Sequence, residues 1–195
     1  MSGKNNANTV QGTNDSSIVS KHAMIEAGYA QDSFLQAFTL KTAPRRAPLI
    51  NRGYYIRTKA IRDIIRSFLT CDENPKQIIS LGAGFDTTYF SLLTADDTAS
   101  MMKDVYYLEV DFPEVVKRKK KLISCSSLCS DVLKPQTKHF DDVTEISTSN
   151  YCLVGADLAD LKSLEHKWTK HTRIDKSLHT LLLSECVMTY MDHTL

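Results

Sequence analysis

Residues 77–84 read Gln-Ile-Ile-Ser-Leu-Gly-Ala-Gly, an apolar run that passes directly into two glycines. Such a run is typical of a strand that is covered on both faces. Gly82 and Gly84 allow a tight turn and a close approach of the backbone to a ligand. A dinucleotide-binding loop needs a third glycine at position 87, where this chain has Thr87. The stretch therefore predicts a buried strand whose terminal turn has either a ligand-binding or a purely structural role.

Three further apolar segments follow the same plan. Residues 105–110, 151–154 and 180–184 predict strands, and each runs into an acidic residue, directly or after a Gly-Ala step. Amphipathic helices are predicted over 61–69, over 113–122 and around 161–168. The alternation predicts an α/β fold, with a Rossmann-like parallel sheet covered by helices. A sheet of four strands has an unpaired edge, so we expect the fold to be incomplete at its carboxyl terminus.

The acidic ends of these strands define one candidate site, since ligands of open α/β sheets bind outside the carboxyl ends of the strands. Asp111 or Glu109 is suited to the hydroxyls of a ribose. Asp111 could also simply cap the following helix, and the two roles can coexist. Asp157 and Leu158 are suited to an adenine, by hydrogen bonding and by packing. A helix N-cap would account for Asp157 equally well. Glu185 follows the last predicted strand and completes the set.

The composition excludes several classes of protein. The chain has 195 residues and a formal net charge of +1, so no global basic field indicates a nucleic-acid partner, although a local patch would suffice. Residues 1–17 have no apolar core, so we expect them to form neither a signal peptide nor a membrane span. The five cysteines lack the spacing of a metal site, and Cys152 and Cys186 are expected in buried strands. We expect a cytoplasmic protein with reduced thiols and no metal.

The remaining segments carry weaker signals. Residues 1–17 are interpreted as a flexible tail before a single domain over 18–195, and the polar stretch 124–149 as an insertion loop. The five consecutive cations of 117–121 predict a solvated helix, with a phosphate contact or a nuclear targeting signal as alternatives. The six histidines are expected at the surface, and none pairs with a serine or cysteine nucleophile, so no catalytic residue is predicted.

Five blocks of sequence, in order along the chain, resemble the leucine carboxyl methyltransferase family. They lie at 47–55, Ala-Pro-Leu-Ile-Asn-Arg-Gly-Tyr-Tyr, and at 81–87, 109–113, 155–158 and 184–187. The resemblance covers about residues 13–195. It implies a class I methyltransferase fold with S-adenosylmethionine as the methyl donor.

The resemblance also implies roles for individual residues. Lys21 and Arg57 match the family's basic residues that contact the methionine carboxylate of the donor. Tyr190 is a weaker match, to a residue at the entrance through which the acceptor substrate binds. The implied donor-binding residues are Lys21, Arg57, Gly82, Asp111, Asp157, Leu158 and Glu185. Because a carboxylate acceptor is already a nucleophile at neutral pH, the reaction needs alignment and desolvation, and no general base is expected.

The segments 13–17 and 45–48 resemble one branch of the family, which acts in the synthesis of the tRNA base wybutosine. That branch implies carboxyl methylation, then methoxycarbonylation, of the modified guanosine in phenylalanine tRNA. The alternative acceptor is the catalytic subunit of protein phosphatase 2A, and a second alternative is a non-catalytic module that binds the donor. Full-length members continue well beyond the matched blocks. We therefore expect a monomeric fragment that has most of the donor site, lacks the acceptor site and is inactive or unstable alone.

Overall fold

The computed structural model describes residues 15–39, 44–71, 75–136 and 144–191. Its strands form a single five-stranded sheet. They are β1 (Lys76–Leu81), β2 (Val105–Asp111), β3 (Thr144–Ser147), β4 (Tyr151–Gly155) and β5 (His179–Ser184). The four predicted strands are confirmed, each to within one residue at either end.

Within the described residues, the sheet is accompanied by seven helices and by two 3₁₀ turns, at Met101–Asp104 and Met188–Tyr190. The helices are α1 (15–26), α2 (Leu35–Phe38), α3 (Pro48–Leu69), α4 (Thr88–Thr94), α5 (Pro113–Cys125), α6 (Ser127–Leu133) and α7 (Leu161–His171). Pro48 and Pro113 occupy the first helical positions of α3 and α5, where a missing N–H and a fixed φ favour initiation. For that reason α3 begins well before the predicted residue 61.

The strand order is β3-β4-β2-β1-β5, and β4, β2, β1 and β5 are all parallel. Within the sheet the chain begins at β1 and passes to β2, then to the edge strand β3 and its neighbour β4. It then returns to the other side of β1 as β5. This confirms the Rossmann-like fold. The direction reverses between β1 and β5, and such a switch point opens a crevice at the carboxyl ends of the strands.

The described parts of the stretch 124–149, residues 124–136 and 144–149, are not the loop that its polarity predicts. They contain the end of α5, the helix α6 and the strand β3. The hydroxyl of Ser126 accepts a hydrogen bond from the N–H of Cys129 (3.3 Å) and caps α6, and Cys129 and Leu133 are buried. β3 pairs antiparallel with β4 and extends the sheet. A four-residue strand of this kind depends on its partner, so its own sequence carries little signal.

The core lies on both faces of the sheet. One face packs a group of aromatic rings, in which the rings of Tyr89 and Tyr151 stack at 4.4 Å. The other face packs Leu108, Val110 and Cys152 against Leu164 of α7. β5 differs from the other parallel strands: alternate side chains pack on the first face, but Leu182 is 60% exposed. Coverage on both faces was therefore wrongly predicted for β5, which pairs only with β1 among the described strands.

Several local predictions are corrected by the structure. His22 is buried, because it lies on the inward face of α1 together with Ile18. Cys186 is exposed and follows β5, where it adopts a positive φ of 55°. Of the predicted tail, residues 15–17 belong to α1, and residues 1–14 lie outside the described part. In the described ranges, no helix is long and apolar enough to cross a membrane.

Candidate functional site

A cavity of about 720 Å³ opens at the carboxyl ends of β1, β2, β4 and β5. Its volume lies within the range of small-molecule sites. The residues that follow the strands converge there because parallel strands end at the same edge of the sheet. All seven predicted donor-binding residues line the cavity, together with Tyr190: Lys21, Arg57, Gly82, Asp111, Asp157, Leu158 and Glu185. The structure brings the set together, while the role of each residue stays a prediction.

One wall of the cavity is an ion network that joins four segments of the chain. The ammonium of Lys21 in α1 lies 3.1 Å from Asp86 Oδ1 and 3.2 Å from Glu185 Oε2. Arg57 in α3 pairs through Nε with Glu185 Oε1. Its guanidinium also stacks 4.6 Å from the centre of the Tyr54 ring. Two cations therefore converge on one carboxylate at the switch point between β1 and β5.

The charges of this network reinforce one another. Burial acts to lower the pKa of Lys21, but the carboxylates of Asp86 and Glu185 outweigh burial and raise that pKa above its ordinary 10.5. Burial acts to raise the pKa of Asp86, and the cations of Lys21 and Lys119 outweigh it, so that pKa falls well below 3.8. Lys21 and Asp86 are thus both charged at neutral pH.

The turn after β1 is tight, with both of its glycines in the left-handed region of φ. Gly82 and Gly84 have φ values of 64° and 51°, a region that side chains with a Cβ disfavour. The N–H of Gly82 donates to the carbonyl of Val110 in β2 (2.8 Å). A Cβ at Gly82 would overlap Cγ2 of Val187. The turn therefore packs directly against the segment that follows β5.

Asp111 links this turn to the residue that precedes α5. Its Oδ2 accepts from the N–H of Gly84 and its Oδ1 from the N–H of Phe112, both at 2.7 Å. The N-cap of α5 is Phe112, without a side-chain cap, so the capping alternative for Asp111 is wrong. Burial raises the pKa of Asp111 against the opposing effect of these N–H groups. Each oxygen keeps a further lone pair for a ligand hydroxyl.

Glu109 does not reach the cavity, so the alternative that assigned it to a ribose is wrong. Its side chain is fully buried and pairs with Lys119 (2.5 Å) and with the hydroxyl of Tyr151 (2.7 Å). Lys119 lies on the inward face of α5 beside Val116. The predicted solvated helix therefore holds for the other four residues of the run 117–121, which are exposed, and fails for Lys119.

Asp157 and Leu158 line the cavity after β4, which β2 separates from β1. Asp157 is exposed, and its Oδ1 accepts from the N–H of Ala159 (2.9 Å). The N-cap of α7 is Asp160, which accepts from the N–H of Ser163 (3.1 Å). The capping alternative for Asp157 is therefore wrong. Leu158 is half-buried and packs against the second core face.

Three cavity residues that contact the ion network, Asp86, Ser17 and Cys186, were not predicted as site residues. Asp86 lies within the block 81–87, and its proximity to the glycine turn was an available signal. Ser17 was assigned to the tail, but its hydroxyl accepts from Arg57 Nη2 (3.3 Å). Cys186 lies 3.3 Å from Arg57 Nη1, a contact that only the fold creates. The described residues contain no group of three or more His, Cys, Asp or Glu side chains that could hold a metal.

Comparison with known proteins identifies relatives along nearly the whole chain. A family model described as leucine carboxyl methyltransferase matches residues 6–194. The chain is 37% identical over 190 residues to a leucine carboxyl methyltransferase 1 homolog of Arabidopsis thaliana, covering 97% of this chain and 55% of the relative. It is 40% identical over 192 residues to the tRNA wybutosine-synthesizing protein 4 of Homo sapiens, covering 95% and 27%. Bos taurus leucine carboxyl methyltransferase 1 is 35% identical, with 93% and 54% covered.

The chain thus spans about half the length of the two leucine carboxyl methyltransferase 1 relatives and about a quarter of the human wybutosine relative.

Proposed function

The chain belongs to the leucine carboxyl methyltransferase family, and from that membership and the geometry of its cavity we propose that it binds S-adenosylmethionine for methyl transfer to a carboxylate. The observation that carries the proposal is the convergence of Lys21 and Arg57 on Glu185. These two cations already hold one carboxylate group at the switch point. The carboxylate at the methionine end of the donor has the same chemistry.

The remaining lining residues fit the other parts of the donor. Glu185 and Asp86 provide negative charge for the ammonium of the methionine end. Asp111 has free lone pairs for ribose hydroxyls, and Asp157 is exposed in the cavity to accept from the amino group of an adenine. Leu158 offers an apolar surface for the ring. A volume of about 720 Å³ accommodates a ligand of this size.

The bound donor would supply an electrophilic methyl group on a sulfonium that is its own leaving group. The residues of the chain therefore have to bind, orient and exclude water, and no proton has to move in the transfer. Asp86 is a poor general base near neutral pH, because its lowered pKa gives the carboxylate little affinity for a proton. We accordingly assign alignment of the donor to the ion network and no general base to the cavity.

For the acceptor we propose the carboxylate of the modified guanosine in phenylalanine tRNA. Support comes from the 40% identity to the human wybutosine-synthesizing relative and from the resemblance of segments 13–17 and 45–48 to that branch. The second candidate is the terminal leucine carboxylate of the protein phosphatase 2A catalytic subunit. It is favoured by the relatives at 37% and 35% identity, which are named leucine carboxyl methyltransferase 1.

Two measurements test these proposals. Titration calorimetry of the chain with S-adenosylmethionine tests donor binding, and a chain that does not bind it contradicts the proposed function. Transfer of a labelled methyl group to precursor phenylalanine tRNA and to the phosphatase subunit then compares the acceptors. Labelling of the tRNA alone supports the first acceptor, and labelling of the subunit alone supports the second. Binding without transfer to either one identifies a donor-binding module.

A further inference from the structure

A buried cation lies behind the cavity without touching it. The side chain of Lys119 is fully buried, and its ammonium donates to Glu109 Oε2 (2.5 Å) and to the backbone carbonyl of Asp86 (2.8 Å). The hydroxyl of Tyr151 in β4 donates to the same oxygen of Glu109 (2.7 Å). Lys119 thus connects the interior of the sheet to the loop after β1, residues 82–87.

That loop leads directly into the ion network. Asp86 offers its carbonyl to Lys119 and its Oδ1 to Lys21 at 3.1 Å. A continuous polar chain therefore runs from Glu109 through Lys119, Asp86 and Lys21 to Glu185. The backbone and the carboxylate of Asp86 are thus each held by a different lysine.

Stability alone does not require a cation at this position. Replacing a buried ion pair with apolar side chains of similar volume is often neutral or stabilising, because both charges lose their hydration on burial. An apolar residue at 119 could fill the same space, but it could not donate to the carbonyl of Asp86. The feature specific to a lysine is therefore its contact with the loop after β1.

We propose that Lys119 is a positioning residue, which fixes the loop after β1 so that Asp86 holds Lys21 in place for the methionine end of the donor. The inference rests on the proposed function, since it concerns the same cavity. Lys119 itself contacts no ligand. Its effect is confined to the methionine end of the donor. Asp157 and Leu158 are assigned to the adenosine end, which Lys119 does not influence.

The test compares two ligands on matched variants. S-adenosylmethionine carries the methionine carboxylate and ammonium, whereas 5′-methylthioadenosine retains the adenosine and the sulfur and lacks both charges. The double variant Lys119→Met/Glu109→Gln removes both buried charges at nearly constant volume. Tyr151→Phe is the matched control, because it removes a hydrogen bond of the same cluster and leaves the contact between Lys119 and Asp86. Each variant is measured by calorimetry and by thermal unfolding.

The double variant should bind S-adenosylmethionine about tenfold more weakly, the loss expected for one hydrogen bond to a charged group. Its affinity for 5′-methylthioadenosine should be unchanged, and Tyr151→Phe should bind both ligands as the wild type does. Equal weakening of both ligands, or no weakening of either, overturns the role of Lys119. A wild-type chain that binds neither ligand contradicts the proposed function instead, so the two failures are distinguishable.

Hydrogen exchange on the wild-type chain tests the same inference without a variant, should the double variant not fold. The N–H of Asp86 donates to the carbonyl of Ala83 (3.0 Å). This amide should exchange slowly before any ligand is added, because Lys119 holds the turn that the hydrogen bond closes. Fast exchange that becomes slow only when S-adenosylmethionine is added would show that the ligand orders the loop. That result overturns the inference.

Discussion

Arg57 in α3 and Glu185 after β5 form an ion pair between Nε and Oε1. The same guanidinium donates to Ser17 in α1 and contacts Cys186, each at 3.3 Å. Arg57 therefore ties together three segments that the sheet brings to one edge. A planar guanidinium can make these contacts at the same time, whereas an ammonium is a single point of charge.

Arg57→Lys should weaken binding of S-adenosylmethionine by about tenfold, and Arg57→Ala by at least as much, since a hydrogen bond between charged groups is worth about 1.5–3 kcal/mol. The loss arises because a lysine cannot offer two donors to a carboxylate in a fixed plane. Titration calorimetry measures both affinities. Lys59→Ala is the control, because Lys59 lies on the same helix in an exposed pair with Asp63. If Arg57→Lys binds S-adenosylmethionine as tightly as the wild type does, the guanidinium of Arg57 does not contact that ligand.

Gly82→Ala should destabilise the chain by about 1–3 kcal/mol and weaken donor binding, since overpacking and a left-handed backbone each carry a cost of this order. The added Cβ would overlap Val187 at a φ of 64°. Urea denaturation measures the loss. Gly53→Ala is the matched control: nothing lies within 4 Å of its Cβ position, and the change should stabilise α3 by about 0.5–1 kcal/mol.

The double variant Gly82→Ala/Val187→Ala separates the two causes. Removing the methyl groups of Val187 relieves the overlap and leaves the strained φ, so the double variant should recover only part of the stability lost by Gly82→Ala. Full recovery of the free energy of unfolding would show that the backbone tolerates alanine at this φ. No recovery would show that the overlap with Val187 does not contribute to the loss.

The sequence predicted the parallel strands well, because each is an apolar run with an abrupt polar end. It also indicated the edge of the sheet where the site lies, since parallel strands share one carboxyl edge. β3 was missed because a strand of four residues depends on its pairing with β4. The inward position of Lys119 was readable from its helical spacing with Val115 and Ile123. Its partner Glu109 was not readable, because only the fold brings the two together.

The ion network could not be predicted from the sequence either, because only the fold brings its residues together. Lys21, Asp86 and Glu185 come from distant segments, and no local pattern links them. Their contacts follow from the strand order, which places the end of β5 beside the end of β1. The resemblance implied roles for Lys21 and Glu185 individually, and the structure adds that the two side chains pair.

The stability that Asp86 contributes should depend on pH. Its pKa lies well below 3.8 in the folded chain, because Lys21 and Lys119 outweigh burial, so the unfolded chain binds the proton more readily. The contribution is therefore complete above the unfolded pKa and is lost as the pH falls through the folded pKa. Asp86→Asn should be less stable than the wild type at about pH 5, and the difference should shrink by about pH 3. Urea denaturation at both values measures it, and a constant difference would contradict the assigned shift.

Asp157 and Asp160 form a matched pair that separates binding from stability. Asp160 caps α7 by accepting from the N–H of Ser163 (3.1 Å), so Asp160→Ala should destabilise the chain by about 1 kcal/mol and leave donor affinity unchanged. Asp157 is exposed and accepts only a local hydrogen bond from the N–H of Ala159. Asp157→Ala should therefore change the free energy of unfolding by less than about 0.5 kcal/mol, while binding of S-adenosylmethionine weakens. Urea denaturation and calorimetry on both variants check the contrast. Donor affinity that is unchanged in Asp157→Ala would remove Asp157 from the adenine contact, because the accompanying stability measurement excludes a loss of fold as the explanation.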